Sequence, residues 1–245
     1  MTKMPNLSVA MIVKDEEEIL ESCLEWVCLK LGDELQVVVV DGGSTDNTLE
    51  ICRLGSTWFR DFDLIQNPMP DSFAEQRNLA LANCEGDWVL QIDADETYNS
   101  HLLKNICEMC NQDKIDAWAF PTFHLHRDEN HYYAEAYPDY HIRLFRNDPL
   151  IRYEGEVHEL ITGPGVGFEE AWSNLLPRTA INNDVHLLHW SLLKSDEGLR
   201  AKGERWMQFA ERSAGKGVTL SGPEHFVDAK HDWTSKVRRI PEAMK

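Results

Sequence analysis

Residues 35–40 read Leu-Gln-Val-Val-Val-Val, and the run ends abruptly at Asp41-Gly42-Gly43-Ser44. Almost unbroken β-branched residues without polar alternation are the pattern of a strand covered on both faces. Such a strand demands a layer of helices on each side of its sheet, and the neighbouring sequence supplies them. Residues 7–13 are a short apolar run of strand length. Residues 15–31 then place Ile19, Leu20, Cys23, Leu24, Val27 and Cys28 at helical spacing. After the valine strand, Thr45 or Asp46 caps a helix reaching about residue 54. A third strand is predicted at 62–66, a third helix at 73–83, and a fourth strand at 88–92. Four β-α units with short connections predict an α/β fold with a mainly parallel sheet flanked by helices.

In open sheets of this kind ligands bind beyond the carboxyl ends of the strands. Three of those ends carry polar clusters: Lys14-Asp15-Glu16, Asp41-Gly42-Gly43-Ser44 and Asp93-Ala94-Asp95. The second half reads differently. Residues 117–126 and 132–146 are rich in aromatics and histidine and alternate as antiparallel strands do. Gly163-Pro164-Gly165-Val166-Gly167 is a loop, and residues 191–213 read as a last helix with Leu199, Trp206 and Phe209 on one stripe. One domain is expected over 1–213, changing character near residue 100. Residues 214–245 hold six Lys or Arg against four Asp or Glu. This basic stretch is expected as a frayed tail, the alternative being a segment folded over an anionic ligand.

The formal charge of −18 excludes a general nucleic-acid binder, because such a surface repels phosphate. It also argues against broad adhesion to anionic lipid. No run approaches the roughly 20 apolar residues of a membrane span. The first six residues lead straight into a strand, so no signal peptide is expected. Six scattered cysteines, including the lone Cys107-x-x-Cys110 pair, fit helical burial better than zinc or disulfides and suggest a reducing, cytoplasmic setting.

A nucleoside diphosphate brings two or three negative charges into a pocket, and a hard divalent cation neutralises them best through oxygen ligands. Aspartates at i and i+2 in an extended segment point to one side and reach one ion, or the ion and a ribose hydroxyl. Asp93 and Asp95 stand in that relation; the alternative is an acidic helix-capping turn. Asp41 can accept from a base N–H or a ribose hydroxyl, or simply cap its own turn. Gly42 and Gly43 remove side chains so that a ligand can approach. His124 and His126 share a strand face, as ligands or as a half-buried sheet surface. Trp118, Phe123, Tyr132, Tyr133 and Tyr137 form either a sugar-stacking wall or core packing.

Four segments carry a family resemblance. They are Ser8-Val9-Ala10-Met11-Ile12-Val13-Lys14-Asp15-Glu16-Glu17, Val39-Val40-Asp41-Gly42-Gly43-Ser44-Thr45-Asp46-Asn47-Thr48, Phe73-Ala74-Glu75-Gln76-Arg77-Asn78, and Gly86-Asp87-Trp88-Val89-Leu90-Gln91-Ile92-Asp93-Ala94-Asp95-Glu96. In order and spacing, residues 7–100 resemble glycosyltransferase family 2, with its Rossmann-like GT-A fold. They look most like its lipopolysaccharide-core glucosyltransferase-like branch.

The resemblance implies an inverting transfer of one sugar from a nucleotide-sugar, a UDP-sugar first, to a saccharide or glycolipid acceptor, assisted by Mn²⁺ or Mg²⁺. It places Val13, Asp15, Glu16, Asp41, Arg77 and Asp93 at the donor. It places Asp93 and Asp95 at the metal, with His158 or His189 completing the set. Glu159 would take the acceptor's proton, with Glu156 behind it. Lys14-Asp15-Glu16 departs from the commoner Lys-Asn-Glu. The Gln-x-x-Arg-Trp signature of processive synthases is absent, which favours single transfer. A nucleotidyltransferase would carry a glycine-rich basic loop after the first strand, where this chain has acids. A non-catalytic donor-binding module is the remaining alternative.

Overall fold

A computed structural model describes residues 4–68, 72–155, 159–163, 178–195, 197–200 and 236–245. The first half alternates as the hydrophobic pattern requires: β1 (Leu7–Val13), α1 (Leu20–Leu31), β2 (Gln36–Asp41), α2 (Thr48–Gly55), β3 (Asp61–Gln66), α3 (Phe73–Ala82) and β4 (Trp88–Gln91). β5 (Glu96–Tyr98) and α4 (His101–Cys110) follow. β6 (Ala117–His126), β7 (Asp128–Tyr133) and β8 (Asp139–Arg146) make the aromatic half. The short strands β9 (Arg152–Glu154), β10 (Leu160–Thr162), β11 (Thr179–Ile181), β12 (Leu187–His189) and β13 (Val237–Arg239) complete the set among the described residues.

The main sheet runs β13-β7-β6-β8-β4-β1-β2-β3, with β11 and β12 beside β6 and β5 beside β12. β3, β2, β1 and β4 are parallel. β8 joins β4 antiparallel, and β6 joins β8 antiparallel. The parallel strands of the first half and the antiparallel extension therefore share one continuous sheet.

The valine run explains why β2 is central. Val37 and Val39 face a cluster that includes Leu20, Cys23, Leu24 and Val27 of α1. Val38 and Val40 face the opposite cluster with Ala74 and Ala80 of α3. All four are fully buried, each contributing about 1.5–3 kcal/mol of apolar burial. Phe123 is also core, stacked on Tyr137 and His186, and the Trp118 indole donates to the Met109 carbonyl. Packing is thus the outcome for those two rings. The six cysteines are free thiols, and Cys107 and Cys110 lie within α4.

Three segments differ from the sequence expectation. α1 begins at Leu20 and not at Asp15, because the preceding peptide groups hold another loop. Asp15 N–H donates to Ser44 Oγ, Glu16 N–H to Thr48 Oγ1 and Glu17 N–H to Asp46. Asp15 itself is in the left-handed region, at φ 51°. The predicted last helix opens with an isolated 3₁₀ turn, Ser191–Leu193; residues 197–200 are helical, and the rest of that prediction lies outside the described residues. Residues 236–245, expected as part of a frayed tail, instead close the sheet edge: β13 pairs antiparallel with β7. Ile240 is buried there, and Lys245 Nζ donates to Asn130. Residues 164–167 of the glycine-rich loop lie outside the described residues.

At the start of β4, a Cβ on Gly86 would stand 2.5 Å from the Ser8 backbone nitrogen. The crowding atom belongs to β1, so it cannot swing aside. Gly86→Ala is expected to lower unfolding stability by about 1–3 kcal/mol, read from urea denaturation of the two proteins.

Candidate active site

β4 leaves the sheet at Ile92, and Asp93–Glu96 forms a tight turn in which Glu96 N–H donates to the Asp93 carbonyl at 2.9 Å. The Glu96 carboxylate reaches back to the Asp93 N–H at 3.1 Å. Two arginines converge on this turn. Arg77, from α3, donates Nη1 and Nη2 to the two oxygens of Asp93 at 2.7 and 3.0 Å, and Nε to Glu159 at 2.5 Å. Arg143, from β8, grips Glu96 with Nε and Nη2 at 3.0 and 2.7 Å and touches Asp93 at 3.4 Å. Arg77 also lies over the Tyr153 ring, 5.5 Å from its centroid.

Most of this network is buried, with Asp93 half-buried, and that decides its electrostatics. Burial by itself would raise the Asp93 carboxyl, but Arg77 and Arg143 outweigh it and hold the group well below the usual carboxylate range. Burial would likewise lower both guanidiniums, yet their acidic partners raise them above the ordinary arginine value. Burial pushes the Tyr153 hydroxyl up to about 12. Asp93, both of whose oxygens engage guanidinium groups, therefore stands as an anchor for α3 and β8.

Asp95, in the same turn, is tied to β12. Its backbone carbonyl accepts from Trp190 N–H at 2.7 Å, tying the turn to the end of β12. That contact sets His189 Nε2 3.5 Å from Asp95 Oδ2. Two ligands at about 2.0–2.2 Å from one divalent cation stand about 3.0–3.5 Å apart, so this pair fits a shared ion. Among the described residues no group of three His, Cys, Asp or Glu side chains is arranged to hold a metal. A two-ligand site is nonetheless what a nucleotide-bound Mg²⁺-type ion uses, since phosphate oxygens and water complete its shell. Behind His189 stands His124, the two Nδ1 atoms 2.9 Å apart, and His124 Nε2 meets Asp139 Oδ2 at 3.0 Å. Burial pulls His124 below the ordinary imidazole value despite the Asp139 hydrogen bond.

The remaining donor candidates gather at the ends of β1 and β2. The Val13 carbonyl accepts from Gly42 N–H at 2.8 Å. The buried Asp41 carboxylate accepts from Gly43 N–H, Ser44 N–H and Ser44 Oγ, so it caps its own loop. Gly43, at φ 86°, supplies the left-handed residue this turn needs. Asp15 accepts from Thr45, which fastens the two loops together. Glu16 is ion-paired with the buried Lys194 from beyond β12.

The structure thus brings Arg77, Asp93 and Glu159 into one cluster and Asp95 and His189 into a second beside it. It turns Asp41 onto its own loop and Asp15 onto the loop after β2. Glu156 and His158 lie outside the described residues. His126 is separated from the His124 cluster by the β-bulge between Leu125 and His126, and its Nδ1 has no partner among the described residues. Sequence reasoning missed Arg143, Asp139 and Lys194. Each acts across strands or loops distant in sequence, and none sits in a motif; only Glu96, inside Asp-Ala-Asp-Glu, carried a local signal.

Four parallel strands ending on an acidic turn, extended by antiparallel strands in one sheet, define the GT-A class of nucleotide-sugar transferases. This chain belongs to glycosyltransferase family 2: the model described as glycosyl transferase family 2 matches residues 8–165. A TPR repeat-containing protein of Synechococcus elongatus is 36% identical over 159 residues, covering 64% of this chain. This chain spans only 36% of that protein's length. The lipopolysaccharide core biosynthesis glycosyltransferase LpsC of Rhizobium meliloti is 29% identical over 208 residues, 80% of this chain and 72% of LpsC. Staphylococcus aureus TarS, solved with UDP-GlcNAc, superposes with a TM-score of 0.56 at 19% identity, covering 81% of this chain and 65% of the TarS chain. The mannosyltransferase PcManGT of Pyrobaculum calidifontis, solved with GDP-Man and Mn²⁺, gives 0.56 at 17% identity, covering 92% and 68%. At these identities the two structures speak for the fold.

The buried network makes a pH-dependent contribution with a definite sign. Asp93 has a depressed folded value, so its stabilisation is complete above the ordinary aspartate value of about 3.9 and is lost as pH falls below it. Asp93→Asn is expected to flatten the loss of stability on acidification below about pH 4, measured by urea unfolding at several pH values. Arg143→Met, which leaves Glu96 buried without its bidentate partner, is expected to cost about 3–5 kcal/mol at neutral pH.

Proposed function

We propose that this chain transfers a single sugar, with inversion, from a nucleotide-sugar donor to a hydroxyl of a saccharide or glycolipid, using a divalent cation. The observation that carries the reading is the Asp95–His189 pair, brought within 3.5 Å at the carboxyl end of β4. When bound, Mn²⁺ or Mg²⁺ would stabilise the charge on the departing diphosphate. Asp95 and His189 would hold it, while Arg77 and Arg143 keep Asp93 ionised and the turn in place. In the transfer the acceptor oxygen bonds to the anomeric carbon as the bond to the diphosphate breaks, and a carboxylate takes the acceptor's proton. Glu159 is the described carboxylate for this step. Its Oε1 receives Arg77, so the proton would go to Oε2.

The donor class draws support from TarS, solved with UDP-GlcNAc, and PcManGT, solved with GDP-Man and Mn²⁺. A UDP-sugar is our first choice. The acceptor reading follows LpsC, whose name places it in lipopolysaccharide core biosynthesis. Six free thiols fit a reducing compartment such as the cytoplasm. No helix among the described residues is long and apolar enough to cross a membrane.

Thermal unfolding with UDP-, GDP-, dTDP- and CMP-sugars, each with and without Mn²⁺, tests the reading directly. One donor is expected to raise the melting temperature only when Mn²⁺ is present, by the equivalent of about 2.7 kcal/mol at a hundredfold excess over Kd. Asp95→Ala is expected to abolish that shift. Absence of any shift in the wild type, whatever the donor and metal, would overturn the transferase reading in favour of a module without donor affinity.

A further inference from the structure

Three adjacent strands align a chain of polar side chains behind His189. β12 lies parallel to β6, with His189 opposite His124. β6 lies antiparallel to β8, whose first residue is Asp139, opposite Thr122. The resulting contacts run Asp95 Oδ2–His189 Nε2 at 3.5 Å, His189 Nδ1–His124 Nδ1 at 2.9 Å and His124 Nε2–Asp139 Oδ2 at 3.0 Å. The two ring planes lie 77° apart, a twist that an in-plane N–H and an in-plane lone pair both tolerate. Asp139 Oδ2 also takes His141 Nε2 at 2.9 Å.

Two neutral imidazoles bring two ring protons to these three contacts, and the two short ones, at 2.9 and 3.0 Å, decide where the protons sit. A carboxylate only accepts, so the His124 nitrogen facing Asp139 carries its N–H at Nε2. Neutral His124 then offers Nδ1 as an acceptor. The facing His189 nitrogen must donate, which puts the His189 proton on Nδ1. His189 Nε2 is left with its lone pair; the Asp95 oxygen stands 3.5 Å away, too far to fix a proton there, and a cation between the two would be bound by the tautomer that a metal-ligating imidazole needs. The opposite arrangement would set two lone pairs against each other at 2.9 Å.

We propose that His124 and Asp139 are positioning residues that lock His189 in its Nδ1–H tautomer and so prepare Nε2 to share a divalent cation with Asp95. The proposal rests on the metal-assisted reading above and adds two residues to it, neither of which touches the cation. Its reach is specific: removing His124 or Asp139 weakens cation binding through His189 while leaving Asp95 in place.

Two measurements test it. Two-bond ¹H–¹⁵N correlation spectra of the histidine-labelled wild-type protein report which ring nitrogen of His189 is protonated, with His189→Gln supplying the assignment. A proton on Nδ1 is expected; a proton on Nε2 overturns the proposal. Mn²⁺ binding in the presence of UDP, followed by electron paramagnetic resonance, then compares wild type with His124→Phe, Asp139→Ala and His124→Asn. The first two are expected to bind roughly 10–100-fold more weakly with a cooperative melt retained. His124→Asn, whose amide oxygen can accept from His189 Nδ1, is expected to recover much of the affinity. Wild-type affinity in folded His124→Phe and Asp139→Ala overturns this inference and leaves the metal site standing. A wild-type protein that binds no Mn²⁺ with UDP overturns the metal-assisted reading itself, and this inference with it.

Discussion

The ion network around Asp93 is the constraint on which the arrangement depends. A half-buried carboxylate at the end of β4 requires compensation, and the two guanidiniums that supply it come from two different elements, α3 and β8. Arg77 ties the turn to α3, and Arg143 ties it to β8, the first antiparallel strand. Removing one partner would leave the others buried and unpaired, which costs far more than the pairs contribute when intact. The network therefore acts as a specification: β8 must meet β4 with Arg143 beside Glu96, and α3 must cross with Arg77 facing the turn. Once those positions hold, the Trp190 N–H brings β12 and His189 to meet Asp95 in the same turn.

This division of labour within Asp93-Ala94-Asp95-Glu96 has a chemical sense. Asp93 and Glu96 bind guanidinium groups and hold the turn rigid; Asp95 faces the histidine chain. A cation site with few protein ligands needs those ligands pre-positioned, because phosphate and water contribute the rest of the shell. The acidic loop after β1 plays a comparable supporting part. Asp15 and Glu17 bind the loop after β2, and Glu16 takes Lys194, so the carboxyl ends of β1 and β2 are stitched together.

Much of the first half was legible in the sequence. The valines of β2, the helical spacing of α1 and the strand run of β4 report burial directly, and each segment's pattern is local. The boundaries failed where side chains recruit backbone groups from elsewhere, as Ser44, Thr48 and Asp46 do before α1. The site was legible in part. Asp95 and His189 were named from motif and resemblance, and they do meet. For Asp93 the sequence implies contact with the donor or the metal and carries no sign of its arginines, because a pair of aspartates at i and i+2 gives no hint of which one a guanidinium will meet. Nothing near Arg143 or Asp139 in the chain marks them, since their partners lie on other strands.

The sequence by itself determined the layered α/β core and put acids at three strand ends, because burial pattern and strand termination are properties of short segments. Only the tertiary structure decided what those acids do. Whether a carboxylate binds a guanidinium, its own loop or a histidine depends on which distant donor arrives within about 3 Å, and that distance is set by how β8, β12 and α3 pack against β4.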